Sequence, residues 1–276
     1  MLIRDDCSSD NTRQIISNYA DSYPGKIVPL TDYLGNLGAC GNFARLLELT
    51  DADYIMFCDG DDVWLENKIE LTFDRMKVIE NEYGINTPVL VHTDLTVTDE
   101  QLKPISKSYW NYQKINPKYD SINHLLVQNV VTGCTAMINK SLSSLVSPVP
   151  KDVIMHDWWI ALNASIFGKI DFLSDPTILY RQHNANDTGA KKWGAEHIFR
   201  RLFQKDEIRK KFAAYERQAQ LLLERHQGKL NTGTTELITT FAFLSQSSAL
   251  SKRYNLLKYK IYKYRFTRNV GLFLFI

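Results

Sequence analysis

Phe57-Cys58-Asp59-Gly60-Asp61-Asp62-Val63-Trp64 is the stretch that decides how this chain is read. An apolar run from Tyr54 to Cys58 enters three carboxylates in four positions, and a helical pattern over Leu65 to Tyr83 follows. In open α/β sheets, ligands bind beyond the carboxyl ends of the strands, where these acids fall. Three acids so close repel one another unless a cation sits between them, and an all-oxygen ligand set suits Mg²⁺ or Mn²⁺. Such an ion would neutralise a diphosphate. The competing reading is a helix N-cap cluster, because Asp near a helix start is stabilising. A calcium loop of the EF-hand type matches at Asp59, Asp61 and Glu70 but fails at its sixth position, where Trp64 replaces the required glycine.

The alternation of strand and helix extends outward from this point. Upstream, Leu2 to Arg4 reads as a strand, Asp5 to Asp10 as a polar turn, and Asn11 to Tyr23 as a helix behind an Asp10 cap; Ile27 to Leu30 and Gly38 to Leu49 repeat the pattern. Downstream, Val89 to His92, Thr132 to Ile138, Ile170 to Leu173 and Thr177 to Arg181 read as strands, with a helix over Asp157 to Phe167. This predicts an α/β layer fold with a largely parallel sheet. Beyond Trp193 strand signals stop, and helices are expected over 194 to 227, 234 to 250 and 252 to 268.

Composition bounds the class. With 276 residues, 44% apolar and 23% charged, the chain can bury a core and is neither a disordered tail nor a disulfide miniprotein. Its net charge of +2 hides an asymmetry: residues 1 to 190 carry 15 basic and 25 acidic side chains, and residues 191 to 276 carry 18 and 6. An acidic front part suits cations, and a basic tail suits a polyanion or an anionic lipid surface. The four cysteines, Cys7, Cys40, Cys58 and Cys134, form no Cys-x-x-Cys pair and read as reduced, mostly buried thiols. The longest apolar run, Val270 to Ile276, is far below the ~20 residues of a membrane-spanning helix.

A series of motifs then resembles the family 2 glycosyltransferases of the GT-A fold, in particular bacterial rhamnosyltransferase-like members acting on surface polysaccharides. These are Asp5-Asp6-x-Ser8-x-Asp10-Asn11-Thr12, Asn36-Leu37-Gly38 with Gly41-Asn42-Phe43, the stretch from Phe57 to Trp64, and Val91-His92-Thr93-Asp94-Leu95. Thr132-Gly133-Cys134-Thr135, His156-Asp157-Trp158-Trp159 and Tyr180-Arg181-Gln182-His183 continue the likeness up to Gly189. The resemblance implies a Rossmann-like mixed sheet flanked by helices over residues 1 to 190, followed by a basic helical region over 191 to 276.

The same resemblance implies the chemistry. Asp59 and Asp61 would meet the sugar-nucleotide ribose and a divalent metal, with His183 reaching the metal or the diphosphate. Asp5 and Asp6 would contact the nucleoside, and Arg181 would neutralise phosphate or pair with an acid. Asp157 would be the general base of an inverting displacement, removing the acceptor proton. Asp62 and one of Trp158 and Trp159 would face the acceptor, the other indole joining the core. The expected donor is dTDP-rhamnose or a UDP-sugar, the acceptor a polysaccharide or lipid-linked glycan, and the location the cytoplasm, peripheral at the inner face of the plasma membrane. A nucleic acid partner is not expected.

One departure is read from the same resemblance. Family members usually carry a strand and helix ahead of the Asp5-Asp6 turn, so an N-terminally shortened chain, by about 25 to 35 residues, is expected. That shortening keeps open the alternative of a catalytically impaired nucleotide-sugar or metal-binding remnant.

Overall fold

The computed structural model of the chain describes residues 1–183 and 205–275. At its start, β1 (Leu2–Arg4) and β2 (Val28–Leu30) pair in parallel across α1 (Thr12–Ser22). The polar turn before α1 works as expected in kind, although the cap position is Asn11: Asp10 accepts from the Thr12 amide at 3.0 Å and from its hydroxyl at 2.6 Å. The two-stranded sheet has no ladder to the larger sheet among the described residues.

Side chains close that seam. The buried Arg4 guanidinium donates to Asp6 and Asp32, to the Asn42 side-chain oxygen and to the Gly35 carbonyl. Asp6 in turn accepts the amides of Leu37 and Gly38 at 2.7 and 2.8 Å. Those are orphan donors at the start of α2 (Gly38–Leu49), whose own cap residue, Leu37, has no acceptor to offer. Gly38 stands at a φ of 68°, where a side chain would be strained.

The larger sheet contains β3 (Tyr54–Met56), β4 (Val63–Trp64), β5 (Val89–Thr98), β6 (Pro104–Ser106), β7 (Met137–Asn139) and β8 (Lys169–Arg181). Their order is β3-β7-β5-β8-β4, with β6 also on β5. Only β5 and β8 run parallel in it; the β3–β7, β5–β7, β4–β8 and β5–β6 pairs are antiparallel. The expectation of a largely parallel sheet is therefore corrected. The returning strands β4 and β6 are two and three residues long, too short for a sequence period to mark them. The two strands expected over 170 to 173 and 177 to 181 are one strand, β8, whose register against β5 shifts near Pro176.

The central strand β5 is buried at nine of its ten positions, as a strand covered on both faces should be. Its residues alternate between two layers. Val89 and Val91 pack with Met76 and Ile79 of α3 (Lys68–Tyr83). Leu90 faces the main core with α5 (Ile122–Leu125), α6 (Lys140–Val146) and α7 (His156–Phe167). A short helix, α4 (Tyr109–Gln113), and a 3₁₀ turn at Gly133–Thr135 fill the end where Asp94 and Leu95 lie.

The C-terminal helices α8 (Lys205–Arg225), α9 (Thr232–Ala242), α10 (Ala249–Lys258) and α11 (Phe266–Phe275) join this core, because Leu222, Phe241 and Leu256 belong to its apolar cluster. The helix expected over 252 to 268 is instead two, interrupted where Lys260 and Arg265 adopt positive φ values of 52° and 73°. The start of the helix expected over 194 to 227, and the boundary at 190, lie outside the described residues.

Between α7 and β8 the chain passes directly against β5. A Cβ on Gly168 would stand 1.8 Å from the Pro88 carbonyl oxygen, an atom that accepts the Lys169 amide at 2.9 Å. Gly168→Ala must push β8 away from β5. We expect it to cost about 2 to 3 kcal/mol in denaturant unfolding, against a near-neutral Gly60→Ala, whose Cβ meets nothing within 4 Å.

Candidate active site

The turn after β3 delivers the three acids to different neighbours. Gly60 lies between Asp59 and Asp61, and the chain then enters β4. Carboxylate oxygens of Asp59 and Asp62 and the Cys134 Sγ come within 4.8 Å of one another. Asp61 points elsewhere, with its Oδ2 2.8 Å from His183 Nε2. The motif thus splits into a triad of Asp59, Asp62 and Cys134 and a pair of Asp61 and His183.

Electrostatics in the triad are unfavourable to two free carboxylates. Burial, reinforced by repulsion from Asp61, raises Asp59 to about 6. Burial raises Asp62 to about 7, with the Arg181 amide bond opposing and the neighbouring acids adding to it. One Asp62 oxygen accepts that amide at 3.1 Å, while the other is buried and has no partner. An orphan carboxylate oxygen beside a second carboxylate and a thiol is a donor set that fits a divalent ion, and the sulfur favours Mn²⁺ or a softer ion over Mg²⁺.

Behind the acids sits a side chain with no signal in the sequence. Lys68, in the first turn of α3, is fully buried, and its ammonium has no hydrogen-bond partner. It lies 4.8 Å from the centre of the Trp64 ring. Burial lowers it to about 8, against the pull of Cys134, Cys58 and Asp62. It is a fixed positive charge on the protein side of the triad.

Asp157 opens α7 at the edge of the same space. Its oxygens accept the Gly133 amide at 2.9 Å and the Asn129 side-chain amide at 3.3 Å. Burial raises it to about 7, opposed by the Trp158 and Gly133 amides, and Asp59 adds a small repulsion. Gly133 has no room for a side chain, since a Cβ there would stand 3.0 Å from His156 Nε2. His156 does not bond to the neighbouring acid. Its ring lies between Phe43 and Phe57, at 4.6 and 5.1 Å, with neither nitrogen paired, and burial lowers it to about 4, so the imidazole is neutral.

Other expected site residues are engaged in structure. Asp5 accepts the Ser8 amide and the Arg13 guanidinium, and Asp6 holds Arg4 and the start of α2. The Arg181 guanidinium donates to the carbonyls of Asp61 and Glu100 at 2.9 and 2.7 Å, which fixes the turn carrying the acids. The expectation that one indole of the Trp158-Trp159 pair lines a cavity is corrected. Both are buried, with their N–H groups donated to Leu125 and Val146 carbonyls, because α7 is covered on all sides and offers no open face. Tyr109 and Tyr180 stand edge to face at 6.1 Å in the apolar cluster that contains Cys134.

A metal entering the triad competes with protons held up to about pH 6 to 7. Stabilisation by Mn²⁺ should therefore be small at pH 5.5 and grow by pH 8, because deprotonated ligands become available as pH rises. Thermal melts with and without 1 mM Mn²⁺ test this. Asp59→Asn should erase the Mn²⁺-dependent shift at both pH values, and Glu66→Gln, an exposed residue outside the triad, should retain it.

The chain is 29% identical over 205 residues to the dTDP-rhamnosyl transferase RfbG of Shigella flexneri, covering 69% of this chain and 65% of that protein. It is 26% identical over 186 residues to the uncharacterized protein Rv1520 of Mycobacterium tuberculosis, covering 66% and 50%. The chain thus spans about half to two thirds of these relatives. A solved mannosyltransferase from Pyrobaculum calidifontis, in complex with GDP-Man and Mn²⁺, superposes with a TM-score of 0.49 at 12% identity, covering 98% of this chain and 68% of that one. The mixed sheet with helices on both faces is of the GT-A type. The profile of glycosyl transferase family 2 matches residues 1–145, and the chain belongs to that family.

Proposed function

We propose that this protein transfers a sugar from a nucleotide-diphosphate donor to a glycan acceptor with inversion, and that Asp157 is the general base. The observation that carries the proposal is a half-buried carboxylate raised to about 7, held by two N–H donors and close enough to Asp59 to feel its charge. A base matched to neutral pH is suited to take a hydroxyl proton. In the displacement, the acceptor oxygen bonds to the anomeric carbon as its proton passes to Asp157. The bond from that carbon to the nucleotide diphosphate breaks on the opposite face. Asp59, Asp62 and Cys134 would hold a divalent ion, with Asp61 and His183 beside them, and such an ion neutralises charge on the departing diphosphate. The likeness to a dTDP-rhamnosyl transferase supports dTDP-rhamnose as donor.

Asp157→Asn should reduce transfer by about 10³-fold or more while leaving the dissociation constant for dTDP within about twofold. For the wild type, kcat/KM should rise about tenfold per pH unit below 7 and level off above it, since the base is active only when deprotonated. A pH profile flat from 5.5 to 8, or equal loss of binding and turnover in Asp157→Asn, removes the assignment.

The same reading places the enzyme at an anionic membrane face, where lipid-linked acceptors would be met. Residues 237 to 276 contain seven basic side chains and no acid. Leu256 of α10 turns to the core, while Leu250, Tyr254 and Leu257 are 83%, 64% and 63% exposed at positions i, i+4 and i+7. An apolar stripe with basic neighbours fits the headgroup region. Among the described residues no helix is long and apolar enough to cross a membrane. Replacing the three exposed residues by Ser should weaken binding to phosphatidylglycerol vesicles by about tenfold or more. Equal binding of the wild type to zwitterionic vesicles would sink this part of the proposal.

A further inference from the structure

On the far side of α4 from the carboxylates lies a cavity of about 550 Å³ that the reaction described above does not use. Its size is in the ordinary range for sites that enclose small molecules, about 300 to 1,000 Å³. Adjacent residues of α4 serve the two sides. Tyr109 turns towards Tyr180 and the Cys134 cluster, and Trp110 turns the other way, onto the cavity, with its ring 5.6 Å from those of Phe172 and His92.

The lining has a recognisable chemistry. Trp110, Phe172 and Tyr264 supply aromatic surface, while Asn111 and Asn116 supply amides. Asp94 is also present, but its charge is spent: one oxygen accepts the amides of Leu95, Tyr109 and Trp110, at 2.8, 3.0 and 3.3 Å, and the other accepts the Ser108 hydroxyl. The remaining charges are Lys107 and Lys118, both exposed, and neither ammonium has an ion-pair or hydrogen-bond partner among the described residues. Aromatic faces with amides match pyranose rings, which are apolar on one side and hydroxylated at the edge. Two unspent cations at the rim match a carboxylate or phosphate on the saccharide.

We infer that this cavity is a second saccharide subsite that holds an anionic segment of the acceptor glycan, one short helix away from the reacting end. The inference rests on the glycosyltransferase reading for its biological role, but the binding itself does not need donor or metal. Calorimetry of the full chain with a glucuronate-containing tetrasaccharide, with galactose 6-phosphate and with neutral maltotetraose, all without nucleotide, tests it. Either anionic probe should bind, the stronger identifying carboxylate or phosphate as the source of charge, and Lys107→Gln/Lys118→Gln should weaken it about tenfold. Maltotetraose should bind the wild type about tenfold more weakly than the better anionic probe. Absence of binding by both anionic probes, equal binding of the neutral one, or unchanged binding by the double variant overturns the inference. The double variant should retain dTDP affinity and Mn²⁺ stabilisation, so the fate of the subsite is read separately from that of the donor site.

Discussion

The structure depends on a concentration of negative charge that water cannot fully relieve. Asp59, Asp62 and Asp157 each sit where burial favours the protonated acid, and their mutual repulsion adds to it. A protein can keep such a group only with compensation nearby. Here it takes two forms: a lysine enclosed near the acids, and backbone amides from Arg181 and Gly133. The rest of the fold supplies those pieces from distant parts of the chain.

The supply lines are short and rigid. β3 and β4 bracket the acidic turn, and the Arg181 side chain from the end of β8 fastens the turn by its carbonyl. β5 is covered on both faces and β8 is paired along it, so the elements hung from their ends move little relative to one another. α2 joins the first sheet to this body. Arg4 and Asp6 hold its start, and Phe43 in its middle stacks on His156, the residue before Asp157. The acidic turn and Asp157 are thereby parts of one mechanical unit.

Much of this was legible in the residues. Acids at the end of an apolar strand, and an acid just ahead of Trp158-Trp159 at a helix start, stand out in the sequence as the two parts of the candidate site. What the sequence could not show was which groups meet across space. Cys134 joins Asp59 and Asp62, although more than seventy positions separate them, and nothing in local spacing distinguishes Asp62 from Asp61 as the partner. Nothing in the sequence pattern around Lys68 marks it as buried. The tryptophan pair misled because a helix was assumed to have an open face, whereas α7 is enclosed on all sides. Strand direction was misjudged for a similar reason: β4 and β6 are too brief to leave a pattern, yet they make the sheet mixed.

The enclosed lysine has a further consequence. Burial that lowers the Lys68 amine to about 8 also shuts it away from acylating or reductive-alkylating reagents in the folded chain. Chemical tagging at that position therefore registers only molecules in which α3 has lifted from the sheet. The residue is a built-in clock for opening of this side of the fold, timed by the protein's own fluctuations.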